Sequence, residues 1–439
     1  MASIPKSFAP NRPPAAASGI SYVVRNIPLN VTTCRSGGTV HFHIPGSLPS
    51  SYLDSKSSYI KVRLINQAGG SSNSNDVQLG PAGFAGTIDH IVTSQNGVVL
   101  GEISDFGKYF AIQQALVSDS DYNSGLGNAL NGSLGHWQEG TDDGVIEGCT
   151  IKNPGHDDGN SRTFVLPLAH IPGLFGQSKN VPLKGQHIDL RITFGQVGYG
   201  VKWDQTGYTP SNNSLEYSDI ELVGTIVQLS DSAESMLRKA GNWSCLTKGV
   251  GTYQNVVPNN ASAHTLNLGM SYSQLLGTDF VMIENDEDRI NDFADTKFTR
   301  NNLKRYYVNL DGVALENQKG VAADSPAEIA ALNAISKGVL ANMNNVPSNI
   351  NFEQLEEDDS AAIIFSQSLE IFKGGKVGFG NYFDQLQCSG RSSLSSTSTL
   401  QMEFGADNTA TKACNLTLFA SFAQLITFDE QANQLRISQ

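Results

Sequence analysis

The 439-residue chain carries 42 Asp and Glu against 29 Lys and Arg, a net charge of −13, and only 16% of its residues are charged, against about 25% in an average soluble domain. Phosphate neutralisation needs clustered Lys and Arg, so an acidic chain without a basic run is expected to be a poor nucleic-acid binder on its own. The longest apolar stretches, such as Ala361 to Phe365, fall far short of the ~20 residues that a membrane-spanning helix needs.

Residues 1–18 look like an unstructured arm rich in Pro and Ala, with Lys6 and Arg12 as its basic residues and no charged-then-apolar leader. Successive side chains of a strand point to opposite faces. That alternation predicts strands at Ile20/Tyr22/Val24, Val40/Phe42/Ile44 and Ile60/Val62/Leu64. A Gly-Ser-Asn loop over 69–75 follows. Ile91 to Leu100 then reads as strand, Asn96-Gly97 turn and strand; a type I′ turn needs positive φ at both central residues, which Asn-Gly tolerates best. Phe106, Phe110, Ala111 and Ala115 recur at helical spacing within 105–117. Residues 118–161 form a Gly/Asn/Asp insertion with almost no pattern, and a loop of that length is functional or exposed rather than core. Arg162 to Phe175 is apolar but broken by Pro167 and Pro172, which suits an edge strand or a chain corner. Strands over 187–194 and 219–229 close the first half, and 231–240 reads as a short helix and the linker.

The second half starts near Trp243, with strands around Leu266/Leu268, over 280–283 and over 303–310. Tyr306 to Leu315 contains an Asp311-Gly312 turn before a Val-Ala-Leu strand. Ser325-Pro326-Ala327-Glu328 is a capping box with proline at the first helical position. Ile329, Leu332 and Ile335 supply the helix's apolar stripe, and Gly338 stops it. Strands follow over 362–372, 394–404 and 416–428.

The halves echo one another. The Asn96-Gly97 module returns as Asp311-Gly312, each followed by a strand and a helix. His187 to Gly195 aligns with Thr397 to Gly405, so that Leu190, Ile192 and Phe194 fall on Leu400, Met402 and Phe404. Leu222, Ile226, Gln228 and Leu229 fall on Leu418, Phe422, Gln424 and Leu425. Elements that recur in one order, with loops of different length between them, are expected of one β-rich domain present twice. The boundaries read as an arm 1–18, a first unit 19–230 holding the insertion 118–161, a linker helix 231–243, a second unit 244–430 and a tail 431–439.

Catalytic signatures are absent: no GxSxG elbow, Walker loop, HExxH or helix-opening GxGxxG occurs. Cys34, Cys149, Cys245, Cys388 and Cys414 are odd in number and lack any CxxC, so they read as buried free thiols in a reducing compartment. The sequon Asn131-Gly132-Ser133 has no meaning without secretion. His41 and His43 share one strand face and could chelate a metal, but the sequence names no third ligand. His136, His156, His170 and His187 scatter around the insertion. Glu284 to Asp288 and Glu356 to Asp359 read as solvated acidic loops, the former lacking the glycine and spacing of a calcium loop. Asp157-Asp158 as a glycosidase acid pair, and Trp137, Gln138 and Trp203 as a sugar-stacking set, are weaker than plain loop packing. The sequence therefore assigns no catalytic, cofactor or metal residues.

Three stretches carry a resemblance: Phe164 to Phe175 with Val181-Pro182-Leu183 and Leu190-Arg191-Ile192; Tyr217 to Leu222 with Val227 to Ser230; and Ser389-Gly390 with Leu400 to Phe404 and Leu416 to Phe428. Together, over roughly 20–430, they resemble the double jelly-roll viral major capsid proteins of the adenovirus-type, tailless-phage and large-DNA-virus lineage. The resemblance implies an all-β chain of two tandem eight-stranded antiparallel jelly-roll sandwiches, each with a short helix after a mid-domain hairpin. It implies a homotrimer forming a pseudo-hexameric capsomer that tiles an icosahedral shell in the virion. Neighbouring capsomers and penton or minor capsid proteins would be partners, genome contact would fall to other components, and an internal membrane is compatible. Such a protein is no enzyme and needs no cofactor. The alternatives are a single-jelly-roll or spike-type virion protein and, from another class, a two-jelly-roll carbohydrate-active enzyme or lectin. The first is disfavoured by the lack of a basic arm, the second by the lack of a signal peptide or disulfide pattern.

Overall fold

The computed structural model describes residues 19–46, 50–68, 75–117, 123–132, 149–154, 159–177, 179–203, 210–240, 242–285, 298–315, 320–336, 355–356, 363–369, 391–393, 398–405 and 412–438. Two sets of strands repeat a single pairing scheme. In the first half they are β1 (Gly19–Asn26), β2 (Thr39–Ile44), β3 (Ser51–Asn66), β4 (Ile88–Gln95), β5 (Val98–Ser104), β6 (Ser161–Pro167), β7 (Ile188–Phe194) and β8 (Leu215–Leu229). In the second they are β9 (Ser244–Val257), β10 (Ala263–Leu268), β11 (Tyr272–Glu284), β12 (Leu303–Leu310), β13 (Val313–Ala314), β14 (Phe365–Ser368), β15 (Ser398–Phe404) and β16 (Cys414–Asp429).

One sheet of the first half runs β1-β8-β3-β6 and the other β2-β7-β4-β5, all antiparallel. The second half runs β9-β16-β11-β14 and β10-β15-β12-β13. Each strand of the second half stands where its counterpart eight places earlier stands in the first. This is the jelly roll, two four-stranded sheets packed face to face, present in duplicate. The sequence echoes fall on equivalent strands: β7 on β15, the β4–β5 hairpin on β12–β13, and β8 on β16. A last strand, β17 (Gln434–Ser438), pairs with the end of β16.

The local reasons are visible in the backbone. Asn96 and Gly97 adopt φ of 50° and 80°, and Asp311 and Gly312 adopt 54° and 76°; both turns are type I′, whose twist matches that of the flanking strands. Alternating positions turn inward, so Val40, Phe42 and Ile44 of β2 meet Leu190, Ile192 and Phe194 of β7 in the first core. Leu266, Val308, Leu400 and Met402 do the same in the second. β6 hydrogen-bonds to β3 and ends at Pro167, before a 3₁₀ turn at Leu168–His170. Its edge position fits a residue that lacks an N–H donor.

Helix α1 (Phe106–Val117) follows β5, α2 (Asp231–Ala240) joins the rolls, and α3 (Pro326–Ser336) follows the second hairpin. Glu328 N–H donates to Ser325 Oγ at 3.4 Å, the cap that the capping box predicts. Two expectations need correction. The 118–161 insertion is not patternless: a helical turn at Asn128–Asn131 buries Asn131, whose side chain donates to Ala82 O at 2.7 Å and accepts from Ala85 N–H at 2.9 Å. Trp203, weighed as a loop aromatic, lies fully buried in a short strand, Val201–Trp203, paired with Val77–Leu79. Polar, glycine-rich flanks hid both elements. Cys34, Cys149, Cys245 and Cys414 are buried free thiols, and burial pushes Cys34 up to about 12.

Candidate functional site

Among the described residues, hydrogen bonds and ring contacts join the two rolls. The face formed by β5 and α1 of the first roll rests on the outer face of the β9-β16-β11 sheet of the second. Thr252 Oγ1 donates to Ser104 O at 3.0 Å, Thr247 Oγ1 to Gly173 O at 2.6 Å, and Gly173 N–H to Lys248 O at 2.9 Å. Gln113 of α1 donates to the buried Asp279 of β11 at 3.3 Å, and Ser366 Oγ donates to the other oxygen of that carboxylate at 2.5 Å. Tyr109 sets its ring edge-on to Phe419, with centroids 5.6 Å apart. Burial and the Asp279 carboxylate push the Tyr109 phenol upward, so it stays neutral. β17 adds a contact on the same side, Leu435 N–H donating to Gln95 Oε1 at 2.7 Å.

Helix α1 is buried on all sides because it fills this seam. Phe106, Tyr109, Phe110, Ile112 and Leu116 are apolar anchors. Its one cation, Lys108, pairs with Asp105 at 2.9 Å, and its buried Gln113 amide meets the Asp279 carboxylate, as a helix without a solvent face favours. Gly107 permits close approach: a Cβ there would sit 2.4 Å from Gly86 O. The linker end is tied by Glu234 of α2, which accepts from Tyr52 Oη at 2.8 Å and pairs with Lys184 at 2.6 Å.

The equivalent surfaces at the two ends of the chain lack such a cover among the described residues. On the first roll, β1 leaves the outward Val23 61% exposed; on the second, β13 and α3 leave Val313 53% and Ile335 42% exposed.

No protein-family model matches the sequence, and no curated protein does. Solved structures do. PBCV-1 VP54 superposes with a TM-score of 0.63 over 96% of this chain and 97% of its own, at 9% identity. The Faustovirus major capsid protein gives 0.59 over 97% and 92%, at 9% identity. The mavirus major capsid protein gives 0.51 over 100% and 95%, at 11% identity. This chain has the double jelly-roll fold of viral major capsid proteins.

A second constellation lies on the outward face of this double jelly roll's β2-β7 sheet. His41 and His43 alternate with buried Phe42, and the register sets His43 opposite Asp189 and His41 opposite Arg191. His41 Nε2 lies 3.3 Å from Asp189 Oδ1, His43 Nδ1 contacts the same oxygen, and His187 Nε2 lies 3.5 Å from Oδ2. The His41 and His43 ring centroids are 5.1 Å apart, and those of His43 and His187 are 4.5 Å apart. The sequence supplied two of these four residues as a pair; the signal for the rest was His187-Ile188-Asp189, with the same spacing of two on another strand.

The other sequence candidates stay apart. Glu284 pairs with Lys412, and Arg300 Nη2 donates to Leu355 O at 2.7 Å and to Glu356 O at 3.0 Å. His170 is half-buried, its ring centroid 5.9 Å from that of Phe110. Asp157, Asp158, Trp137, Gln138, His136, His156, Cys388 and the rest of both acidic loops lie outside the described residues.

Proposed function

We propose that this chain is the major capsid protein of an icosahedral virion. Three copies close into a ring of six jelly rolls, a pseudo-hexameric capsomer that tiles the shell. The fold shared with capsid proteins supports the role, and one observation carries the assembly: the contact between the rolls joins unlike surfaces. The hairpin-and-helix side of one roll grips the outer sheet of the next. A head-to-tail contact leaves one surface of each kind unused at the ends of the pair. Here the unused sheet surface is β1 with β8, and the unused gripping surface is β13 with α3. Exposed apolar residues stand on both. Repeating the internal contact between chains buries them, and pairs of rolls related by near-sixfold rotation close after three chains.

Under this reading the units divide as arm 1–18, first roll 19–230, linker 231–243, second roll 244–430 and tail 431–439. Partners are two further copies, neighbouring capsomers, and penton or minor capsid proteins. Genome contact falls to other components because the net charge is −13, and an internal membrane is compatible. The protein acts through interfaces and is read as no enzyme. It resides in the virion.

Light scattering with negative-stain imaging tests the proposal. The expected result is a particle three times the 47.0 kDa chain mass with a six-lobed outline, reduced to monomers by Val23→Asp. A monomer at all concentrations, or a closed two-fold dimer, overturns it.

A further inference from the structure

We infer that His41, His43 and Asp189 form a binding site for a borderline divalent cation of the zinc class, with His187 orienting the carboxylate. His41 Nε2, His43 Nδ1 and an Asp189 oxygen all lie within 4.8 Å of one another. A tetrahedral zinc with bonds of about 2.1 Å sets its ligand atoms about 3.4 Å apart. His41 Nε2 and Asp189 Oδ1 already stand at 3.3 Å, so small side-chain rotations on a fixed sheet complete the set. The three residues come from adjacent antiparallel strands whose inward neighbours, Phe42, Ile44, Ile188 and Leu190, are fully buried. The ligand backbone is therefore rigid, as a precise site requires.

The arrangement gathers three ligand atoms at one point. Two imidazole nitrogens, His41 Nε2 and His43 Nδ1, converge on one carboxylate oxygen. In the apo protein each ring can turn an N–H toward the carboxylate; with the protons moved to the other ring nitrogens, a divalent ion accepts all three lone pairs at once. Imidazole with carboxylate suits zinc, nickel and cobalt better than calcium or magnesium, which favour oxygen-rich sets. His187 holds Oδ2, the place of the outer partner that usually steadies a ligand. The side chains of His41, His43 and Asp189 are 29%, 40% and 19% exposed, so an ion can reach them and water can fill the fourth position. Arg191 stands opposite His41 and is exposed, so its guanidinium has room to turn away.

Zinc chloride titrated by calorimetry into the full-length, EDTA-stripped protein tests this. The expected result is saturable uptake of one zinc per chain, abolished by His43→Gln and by Asp189→Asn, and weakened ~10-fold by His187→Gln. The apo proteins should keep the wild-type melting curve, since the changed residues face outward. Absence of saturable uptake, or equal uptake by the His43→Gln variant, overturns the site. Cobalt supplies a readout on the wild-type protein alone. A visible ligand-field spectrum without a thiolate charge-transfer band supports nitrogen and oxygen ligands, whereas a thiolate band assigns binding to the cysteines and overturns the inference.

Discussion

Helices α1 and α3 occupy equivalent places in their rolls, each following the second strand of an equivalent hairpin, yet their surroundings differ. α1 is buried throughout, while α3 buries Ile329 and leaves Ile335 exposed. The strands they serve differ in the same sense. β8 alternates buried and half-exposed positions over much of its length, with Glu221 outward, paired with Arg25 at 3.6 Å and Lys61 at 3.5 Å. β16 is buried on both faces from Leu416 to Gln424, where Phe419 lies against Tyr109 of the first roll. The duplicated inward faces stayed alike because each fills its own sandwich. The outward faces diverged because one is covered within the chain and the other awaits a second copy.

The strongest way to break this contrast is at Phe419. Phe419→Ala should destabilise the chain by about 3–5 kcal/mol, as for a large aromatic lost from a packed core. Val23→Ala, on the uncovered surface, should stay within about 0.5 kcal/mol; urea denaturation measures both. Equal costs would mean that the two outer faces do not differ as described.

The next effect is acid sensitivity under α1. Burial holds His170 at about 4, below its ordinary 6.5. The unfolded chain therefore binds a proton first, and stability falls as pH drops from about 6.5 to about 4, fully present above that window. The difference is worth roughly 3 kcal/mol. Denaturation midpoints of His170→Gln measured across this range should show a flatter acid limb than wild type. An unchanged slope would place the acid sensitivity elsewhere.

The hairpin turns sharpen the comparison, since they should respond alike. A Cβ at Gly97 or Gly312 meets nothing within 4 Å, so the penalty comes from positive φ and not from crowding. Gly97→Val and Gly312→Val should each cost about 1–2 kcal/mol or somewhat more, read as a lowered melting temperature. The smallest effect belongs to the α3 cap: Ser325→Ala should cost about 0.5–1 kcal/mol by thermal melting, the low end because the bond is 3.4 Å long.

Much of the fold was legible in the residues. The type I′ turns, the alternation of Val40/Phe42/Ile44 and Leu190/Ile192/Phe194, and the α3 capping box are local properties, so the amino-acid order by itself determined them and, through their recurrence, the duplicated sandwich. The candidate site was half legible. His41 and His43 share a face by spacing alone, but Asp189 and His187 join them only because the topology lays β7 beside β2. Trp203 and Asn131 went unread because their burial depends on distant partners. Tertiary structure alone decided which outer sheet face is covered and which is left open. A strand's alternation records that one side is apolar; what lies across from the other side is set by how remote segments pack, and neighbouring residues carry no trace of that.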